Sequence, residues 1–201
     1  MYECSGPNAS KYAQIIDAAV EEFQEKGFSA ASMDRVSARA EVSKRTVYKY
    51  FESKEKLFRS IVSVLAERFA DMRHIRYEPD RDIREQLIEL GWAEGRLLIS
   101  PEVMAMARMI ISETLRNPDL AEAAQGKIDK TGAFIDMLRA ASEDGQLNVP
   151  DPEEAAQEFI ALLKAKAFWP YIFGSALVSE EQMQKIVESS VEMMMCRYGT
   201  G

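Results

Sequence analysis

The chain contains one histidine, His74, and two cysteines, Cys4 and Cys196, among its 201 residues. So little histidine and cysteine argues against a metal site and against a Ser-His or Cys-His catalytic arrangement. Two cysteines near opposite ends cannot build a disulfide framework. We also find no glycine-rich phosphate loop and no nucleophile elbow. We therefore expect no enzyme activity, no metal and no cofactor.

Glycine and proline are scarce, with ten and seven residues, which excludes a fibrous or disordered chain. The most apolar run, residues 159–178, is interrupted by Lys164, Lys166 and Pro170, so we expect no membrane span and no membrane partner. Residues 1–9 lack the basic start and apolar centre of a signal peptide, and we predict a disordered tail there. These absences predict a cytoplasmic protein.

Nearly every segment has the apolar spacing of an α-helix, and none alternates with the period of a strand. We predict an all-α fold of about nine helices. An N-terminal unit over residues 10–57 begins with a helix from Ser10 to Gly27, followed by short helices over 32–40 and 43–51. A C-terminal unit over residues 58–201 follows. A connecting helix is predicted over 53–72, and the long helices of the C-terminal unit are predicted over 82–99, 101–117, 119–144, 151–173 and 179–198.

The net charge of −8 hides an asymmetry along the chain. Residues 35–59 contain eight basic and three acidic side chains, a net charge of +5. Residues 60–201 contain fifteen basic and twenty-four acidic side chains, a net charge of −9. A basic segment joined to an acidic body is typical of a nucleic-acid module attached to a separate partner domain.

Two short helices joined by a tight turn within this basic segment favour a helix-turn-helix. A rotation of 100° per residue places Val47 and Phe51 of the second helix on the core side. The opposite face then carries basic and hydroxyl side chains, which suit phosphate oxygens and base edges. These side chains are Lys44, Arg45, Thr46, Tyr48 and Lys49.

Residues 15–61 resemble the DNA-binding domain of the tetracycline-repressor (TetR) family. The match runs unbroken through Gly27-Phe28, Ser32-Met33, Val42-Ser43, Thr46 to Phe51 and Ser53-Lys54. One local difference is Glu41, where the family usually has glycine in the turn.

The resemblance implies a role for each matching residue. Ser32 would bind a phosphate, Lys44, Arg45 and Thr46 would enter the major groove, and Tyr48, Tyr50 and Lys54 would contact the flanking backbone. Simple packing within the small domain is the alternative for the two tyrosines. The full candidate set for DNA contact is Ser32, Ser43, Lys44, Arg45, Thr46, Tyr48, Lys49, Tyr50 and Lys54.

Residues 106–124 and 150–174 are similar to the C-terminal domain of AcrR- and AefR-like members of this family. That resemblance implies a helical regulatory domain that dimerises and encloses a small-molecule pocket. Methionine and aromatic side chains can line such a pocket, although at helical spacing they also fit a plain core. The candidate pocket residues combine apolar bulk with polar groups: Trp92, Arg96, Arg108, Phe134 and Trp169.

The last predicted helix has a continuous apolar stripe formed by Met183, Val187, Val191, Met194 and Tyr198. The helix that begins at Asp151 is apolar nearly all round from Phe159 onward, so it needs cover on two sides. We predict that this pair, with Phe159 and Leu163, forms a twofold four-helix seam with a second subunit. Burial within one subunit is the alternative.

Together these patterns predict a homodimeric transcriptional repressor. It would bind a (pseudo)palindromic double-stranded operator and be released by a small hydrophobic effector. A rival hypothesis is a helical, dimeric interaction or carrier protein without specific DNA binding.

Overall fold

A computed structural model describes residues 7–70, 74–124, 131–174 and 176–200. Regular structure in these residues consists of eleven α-helices, with one isolated bridge between Leu147 and Gly199. The predicted all-α fold is confirmed. The described chain divides into two compact units, one from residues 7–66 and 105–124 and the other from the remaining residues. No helix in the described ranges is long and apolar enough to cross a membrane.

The first unit is built around the long helix α1. Buried Ile15, Ile16 and Phe23 lie on one face of α1, as their spacing predicts. The ring centroids of Phe23 and Phe28 are 5.4 Å apart. Gly27 has a φ of 73°, which interrupts the regular helix where the sequence predicted its end. The helices are α1 (Pro7–Ala30), α2 (Met33–Arg39), α3 (Lys44–Tyr50), the first part of α4 (Lys54–Ala70), the second part of α6 (Pro101–Arg116) and α7 (Pro118–Ala124).

The second unit is a bundle in which α11 packs against α5 and α9, and α8 packs against α9. A Cβ atom at Gly91 would lie 3.0 Å from the side chain of Val187, and one at Gly95 would lie 3.0 Å from that of Met183. Glycine at these two positions therefore lets α5 and α11 approach closely. The helices are α5 (Ile83–Leu98), α8 (Gly132–Glu143), α9 (Pro152–Ala167), α10 (Trp169–Ile172) and α11 (Glu180–Tyr198).

Helix starts follow the predicted capping residues. Ser32 accepts hydrogen bonds from the first turn of α2, and Ser43 does so for α3. Asp151 caps α9 ahead of a proline at its first position. Ser179 and Gln182 form a reciprocal capping box at α11. These side chains satisfy backbone N–H groups that have no partner inside the helix.

Three predicted helix boundaries are wrong. Pro7 to Ala9, assigned to a disordered tail, form the first turn of α1, because proline suits that position; residues 1–6 of the tail lie outside the described residues. The helix predicted over 151–173 breaks at Phe168, since Pro170 has no N–H for the carbonyl of Lys166. The helix predicted over 119–144 is not continuous, because Thr131 is the N-cap of a helix, α8, that begins at Gly132; residues 125–130 lie outside the described residues.

The apolar stripe assigned to a subunit interface faces the chain's own core. Each of the seven side chains is buried within the single chain, although Met194 also lines a groove on the surface of α9 and α11. Helices α5 and α9 cover the stripe of α11, which is the alternative that the spacing left open. The seven residues are Phe159, Leu163, Met183, Val187, Val191, Met194 and Tyr198.

Candidate nucleic-acid interface

Helix α3 is anchored by one apolar side chain and presents cations to solvent. Ser43 accepts the N–H of Thr46 at 3.1 Å, which fixes the start of the helix. Val47 is fully buried, as predicted, whereas Arg45 and Lys49 are exposed. Neither cation pairs with a carboxylate among the described residues. Both charges are therefore available to an anionic partner.

The hydroxyl side chains of α3 have different surroundings. The hydroxyls of Thr46 and Ser43 lie 2.8 Å apart and share a hydrogen bond. Tyr48 is 50% exposed. Tyr50 is half-buried, with its ring centroid 6.2 Å from that of Tyr12. The structure thus gives Tyr50 a packing role and leaves Tyr48 accessible.

Other cations of the basic segment are paired within the first unit. Lys44 lies 2.6 Å from the carboxylate of Asp34, one helix away. Arg35 donates from Nε to the carboxylate of Glu22 at 2.6 Å. Lys44 remains exposed, but a DNA phosphate would compete with Asp34 for its ammonium.

Arg39 holds α2 against α1 through two acidic side chains. Its guanidinium donates to Glu25 at 2.8 Å and to Glu21 at 3.0 Å. The hydrogen bond from Arg39 lowers the pKa of the Glu25 carboxyl below its ordinary value. This cation therefore contributes to the local fold and carries little charge toward a partner.

Ser32 is positioned by a buried carboxylate that the sequence reasoning missed. Its hydroxyl caps α2, and its backbone N–H donates to Glu22 at 3.3 Å. The side chain of Glu22 is fully buried and also accepts from Arg35. Glu22 follows Ile15 and Ala19 at helical spacing, so an acidic residue on the apolar face of α1 was the available signal.

The turn between α2 and α3 contains the one non-glycine residue with positive φ in the described chain. Glu41 has a φ of 50°, in the left-handed region where a side chain is disfavoured. The N–H of Val42 donates to the carbonyl of Ser37 at 3.0 Å and closes the turn. The geometry explains why glycine is the common residue at this position in the family that the sequence resembles.

Lys54, at the first position of α4, reaches back to the end of α1. Its ammonium donates to the carbonyl oxygens of Phe28 at 2.8 Å and Ser29 at 3.0 Å. The side chain is half-buried, and its described contacts hold the start of α4 against the end of α1. The contact of Lys54 with a phosphate stays a prediction.

Comparisons with known proteins agree with this geometry. Residues 15–61 match the family model described as bacterial regulatory proteins, tetR family, and residues 85–200 match the model of the AefR-like transcriptional repressor C-terminal domain. The second match covers more than half of the chain. The chain belongs to the TetR family. It is a DNA-binding transcriptional regulator.

Individual relatives extend over most of the chain. The HTH-type transcriptional repressor SCO4008 of Streptomyces coelicolor is 30% identical over 83% of this chain and 80% of its own length. A solved TetR family regulator from Pseudomonas syringae pv. tomato is 37% identical, covers 94% of this chain and 97% of its own, and gives a TM-score of 0.77. The flavonoid-responsive regulator FrrA is 27% identical, covers 96% of this chain and 98% of its own, and gives a TM-score of 0.70.

The predicted effector residues of this TetR-family chain occupy different environments. Phe134 is fully buried, with its ring centroid 5.2 Å from that of Phe159 in the core of the second unit. Trp92 is half-buried, and its indole N–H donates to Gln184 at 2.6 Å. Both side chains have structural partners in the described residues.

The other three candidates are more peripheral or lie elsewhere. Arg96 is exposed and Trp169 is 54% exposed. Arg108 is half-buried and belongs to the first unit. The structure does not gather the five into one described cavity, and their effector role stays a prediction.

A shallow apolar groove runs along the outward side of α9 and α11. It has a volume of about 460 Å³. Met193 is 51% exposed there. The residues that line it are Glu158, Ala161, Leu162, Ala165, Met193, Met194 and Arg197.

Proposed function

We propose that the protein represses transcription as a homodimer that binds a (pseudo)palindromic operator and dissociates when a small hydrophobic effector binds. The observation that carries this proposal is the orientation of α3. Val47 fixes one side of the helix in the core, while Arg45 and Lys49 stand exposed without carboxylate partners among the described residues. Arginine and lysine donate to guanine edges and to phosphates.

The remaining candidate contacts support α3 from both sides. Ser32 and Ser43 hold the starts of α2 and α3, and Tyr48 is exposed beside the two free cations. We assign these residues, with Lys44, Thr46, Tyr50 and Lys54, to contacts with the operator. Action on operator DNA implies a cytoplasmic protein.

The dimer requires a surface that extends beyond the buried side of the stripe. We assign it to the groove of α9 and α11, defined above, and commit to a second copy of this chain as its occupant. The groove combines an exposed methionine with small and apolar side chains, and the charged residues at its edge, Glu158 and Arg197, pair with each other at 3.2 Å. A twofold axis would place this pair beside its copy, so the interface would bury no unpaired charge from it. Two recognition helices related by that axis could read half-sites about 34–36 Å apart.

Effector control is supported by a relative. The 27% identical FrrA is named a flavonoid-responsive regulator, and the AefR-like model matches residues 85–200, which include most of the second unit. We infer that the second unit binds a small molecule and that binding shifts the dimer from its DNA-competent conformation.

Replacing both free cations of α3 tests the proposal against the rival carrier protein. Arg45→Ala/Lys49→Ala is expected to weaken DNA binding at least about 100-fold and to leave the helical content unchanged. The matched control, Arg139→Ala/Lys185→Ala, removes two cations from the second unit and is expected to bind DNA as the unchanged protein does. Equal DNA binding by both double variants would support the carrier hypothesis.

A further inference from the structure

Helices α5 and α9 carry a buried ion pair that the DNA-binding account does not use. The carboxylate of Glu94 is fully buried, and the ammonium-bearing side chain of Lys164 is 13% exposed. Their Oε1 and Nζ atoms lie 3.1 Å apart. Neither oxygen of Glu94 accepts a well-aligned hydrogen bond from the described residues. The charge of Glu94 is therefore balanced while its capacity to accept hydrogen bonds is unfilled.

Such a pair is a poor device for stabilising a helical bundle. Removing two charges from water costs as much free energy as their attraction returns, and apolar replacements of similar size are often at least as stable. A buried carboxylate without hydrogen-bond donors adds a further cost. The elements around it pack without it, since Leu90, Leu98 and Leu163 are buried on the same helices. A ligand that supplied the missing donor would give the pair a function.

The surroundings of Lys164 connect the pair to α4. The Nζ atom lies 5.7 Å from the ring centroid of Phe69. Phe69 is in the last turn of α4, and Lys54 is the first residue of the same helix. Lys164 is the partly exposed member of the pair and has a long, flexible side chain. A change in the position of Lys164 would therefore change a contact with the end of α4.

We propose that Glu94 and Lys164 are the polar centre of the effector site, and that the effector is a neutral, largely apolar molecule with an O–H donor, such as a phenol. The inference rests on the proposed function. The donor is required because Oε2 has no donor among the described residues and Oε1 has only the Lys164 ammonium, at 3.1 Å, without an aligned hydrogen bond. The molecule is neutral because the pair is already balanced, and an added charge would be buried without compensation. Its apolar body suits the apolar side chains buried on the same helices, such as Leu90 and Leu98.

Two probes that share one apolar body and differ by a single O-methyl group isolate the donor. We would compare para-hexylphenol with para-hexylanisole, its methyl ether, which has the same apolar body and no O–H. A hydrogen bond to a charged group predicts that the phenol binds at a concentration at least about tenfold lower than the ether. The readouts are calorimetric binding and release of the protein from DNA. Equal affinity for the two probes, or binding of neither, overturns the proposal.

Substitutions then test whether the preference for the phenol depends on Glu94 and Lys164. Glu94→Met/Lys164→Met replaces the pair with apolar side chains of similar volume, and Glu94→Gln keeps the shape while removing the charge. Both variants are expected to bind DNA as the unchanged protein does. Both are expected to lower the ratio of the affinities for the phenol and the ether, and in the double variant this ratio is expected to fall to about one. Arg84→Met/Glu192→Met removes the exposed ion pair between α5 and α11 as the matched control and is expected to keep the preference. A preference that survives in both Glu94 variants overturns the assignment.

The experiments distinguish an error in the effector site from an error in the proposed function. DNA binding is measured first, without any probe. A protein that binds DNA but does not distinguish the phenol from the ether contradicts only the effector site. A protein that binds no DNA contradicts the repressor, while the calorimetric comparison still tests Glu94.

Discussion

The ammonium of Lys54 donates to the carbonyl oxygen of Phe28 at 2.8 Å and lies 5.0 Å from the centroid of the same residue's ring. A second carbonyl, that of Ser29, accepts from the same ammonium. Helix α4 thus begins at a residue that satisfies the backbone carbonyls at the end of α1. The resemblance to the family pointed to DNA for this lysine, and the structure adds a bracing role.

Lys54→Met tests the brace. Methionine keeps the apolar stem and removes both hydrogen bonds, so we expect the free energy of unfolding to fall by about 1–3 kcal/mol. Urea denaturation followed by circular dichroism measures the change. Lys56→Met, at a neighbouring exposed lysine, is the control and is expected to change stability by less than about 0.5 kcal/mol. Equal stability of the two variants would contradict the brace.

Glu41→Gly is expected to stabilise the protein. Glycine removes the strain of a side chain in the left-handed region at a φ of 50°. It also raises the entropy of the unfolded chain, which offsets part of that gain, so the free energy of unfolding is expected to rise by about 0.5–1 kcal/mol. The loss of an acidic side chain next to α3 is also expected to strengthen DNA binding a few-fold. Thermal unfolding and a DNA titration measure the two effects. Glu52→Gly removes the same charge where φ is not positive, and a stabilisation of equal size there would refute the explanation.

Tyr77 makes stability depend on pH in the alkaline range. Its hydroxyl donates to Asp144 at 2.5 Å, and burial, followed by that hydrogen bond, raises the pKa of Tyr77 to about 12. The unfolded chain loses this proton at about pH 10, so the contribution of Tyr77 is complete below pH 10 and is lost as pH rises toward 12.

Tyr77→Phe measures that contribution. We expect the variant to be less stable at neutral pH by about 1 kcal/mol. The difference from the unchanged protein is expected to shrink between about pH 10 and 12. Denaturation curves over this range follow it, and a constant difference up to pH 12 would show that the Tyr77 proton is not linked to folding.

Leu162→Glu tests the dimer surface. A carboxylate in the apolar groove of α9 and α11 would be buried against its copy across the twofold axis, so we expect the dimer to dissociate to monomers at micromolar concentration. Light scattering after size-exclusion chromatography measures the mass. Asn148→Glu adds the same charge on an exposed loop of the second unit and is expected to stay dimeric. A dimeric Leu162→Glu variant would place the interface elsewhere.

Local signals predicted the helices well. Ser32, Ser43, Asp151 and Ser179 mark helix starts because each side chain satisfies backbone N–H groups a few residues away. Val47 is buried as the rotation of α3 predicted, since short-range geometry decides which side faces the core. The contact set for DNA was proposed from the rotation of α3 and from a resemblance, and it stays a prediction because the chain alone contains no operator.

Contacts between helices that are distant in the sequence could not be predicted from local patterns. The stripe of α11 is equally apolar whether a second subunit or α5 covers it, and glycine at positions 91 and 95, which brings α5 close, was not recognised as the deciding feature. Glu94 and Lys164 are seventy residues apart, so only the packed bundle reveals their pairing. Charged residues on apolar helix faces were the available signal for this pair.

The most direct test of the central claim is a DNA titration with the duplex immediately upstream of the protein's own gene. An unrelated duplex of equal length is the comparison, and both are measured at two salt concentrations. We predict that the upstream duplex binds at least about a thousandfold more tightly than the unrelated one, with affinity that falls steeply as salt rises. Absence of binding to this duplex and to a random-sequence pool would contradict the assignment as a DNA-binding repressor.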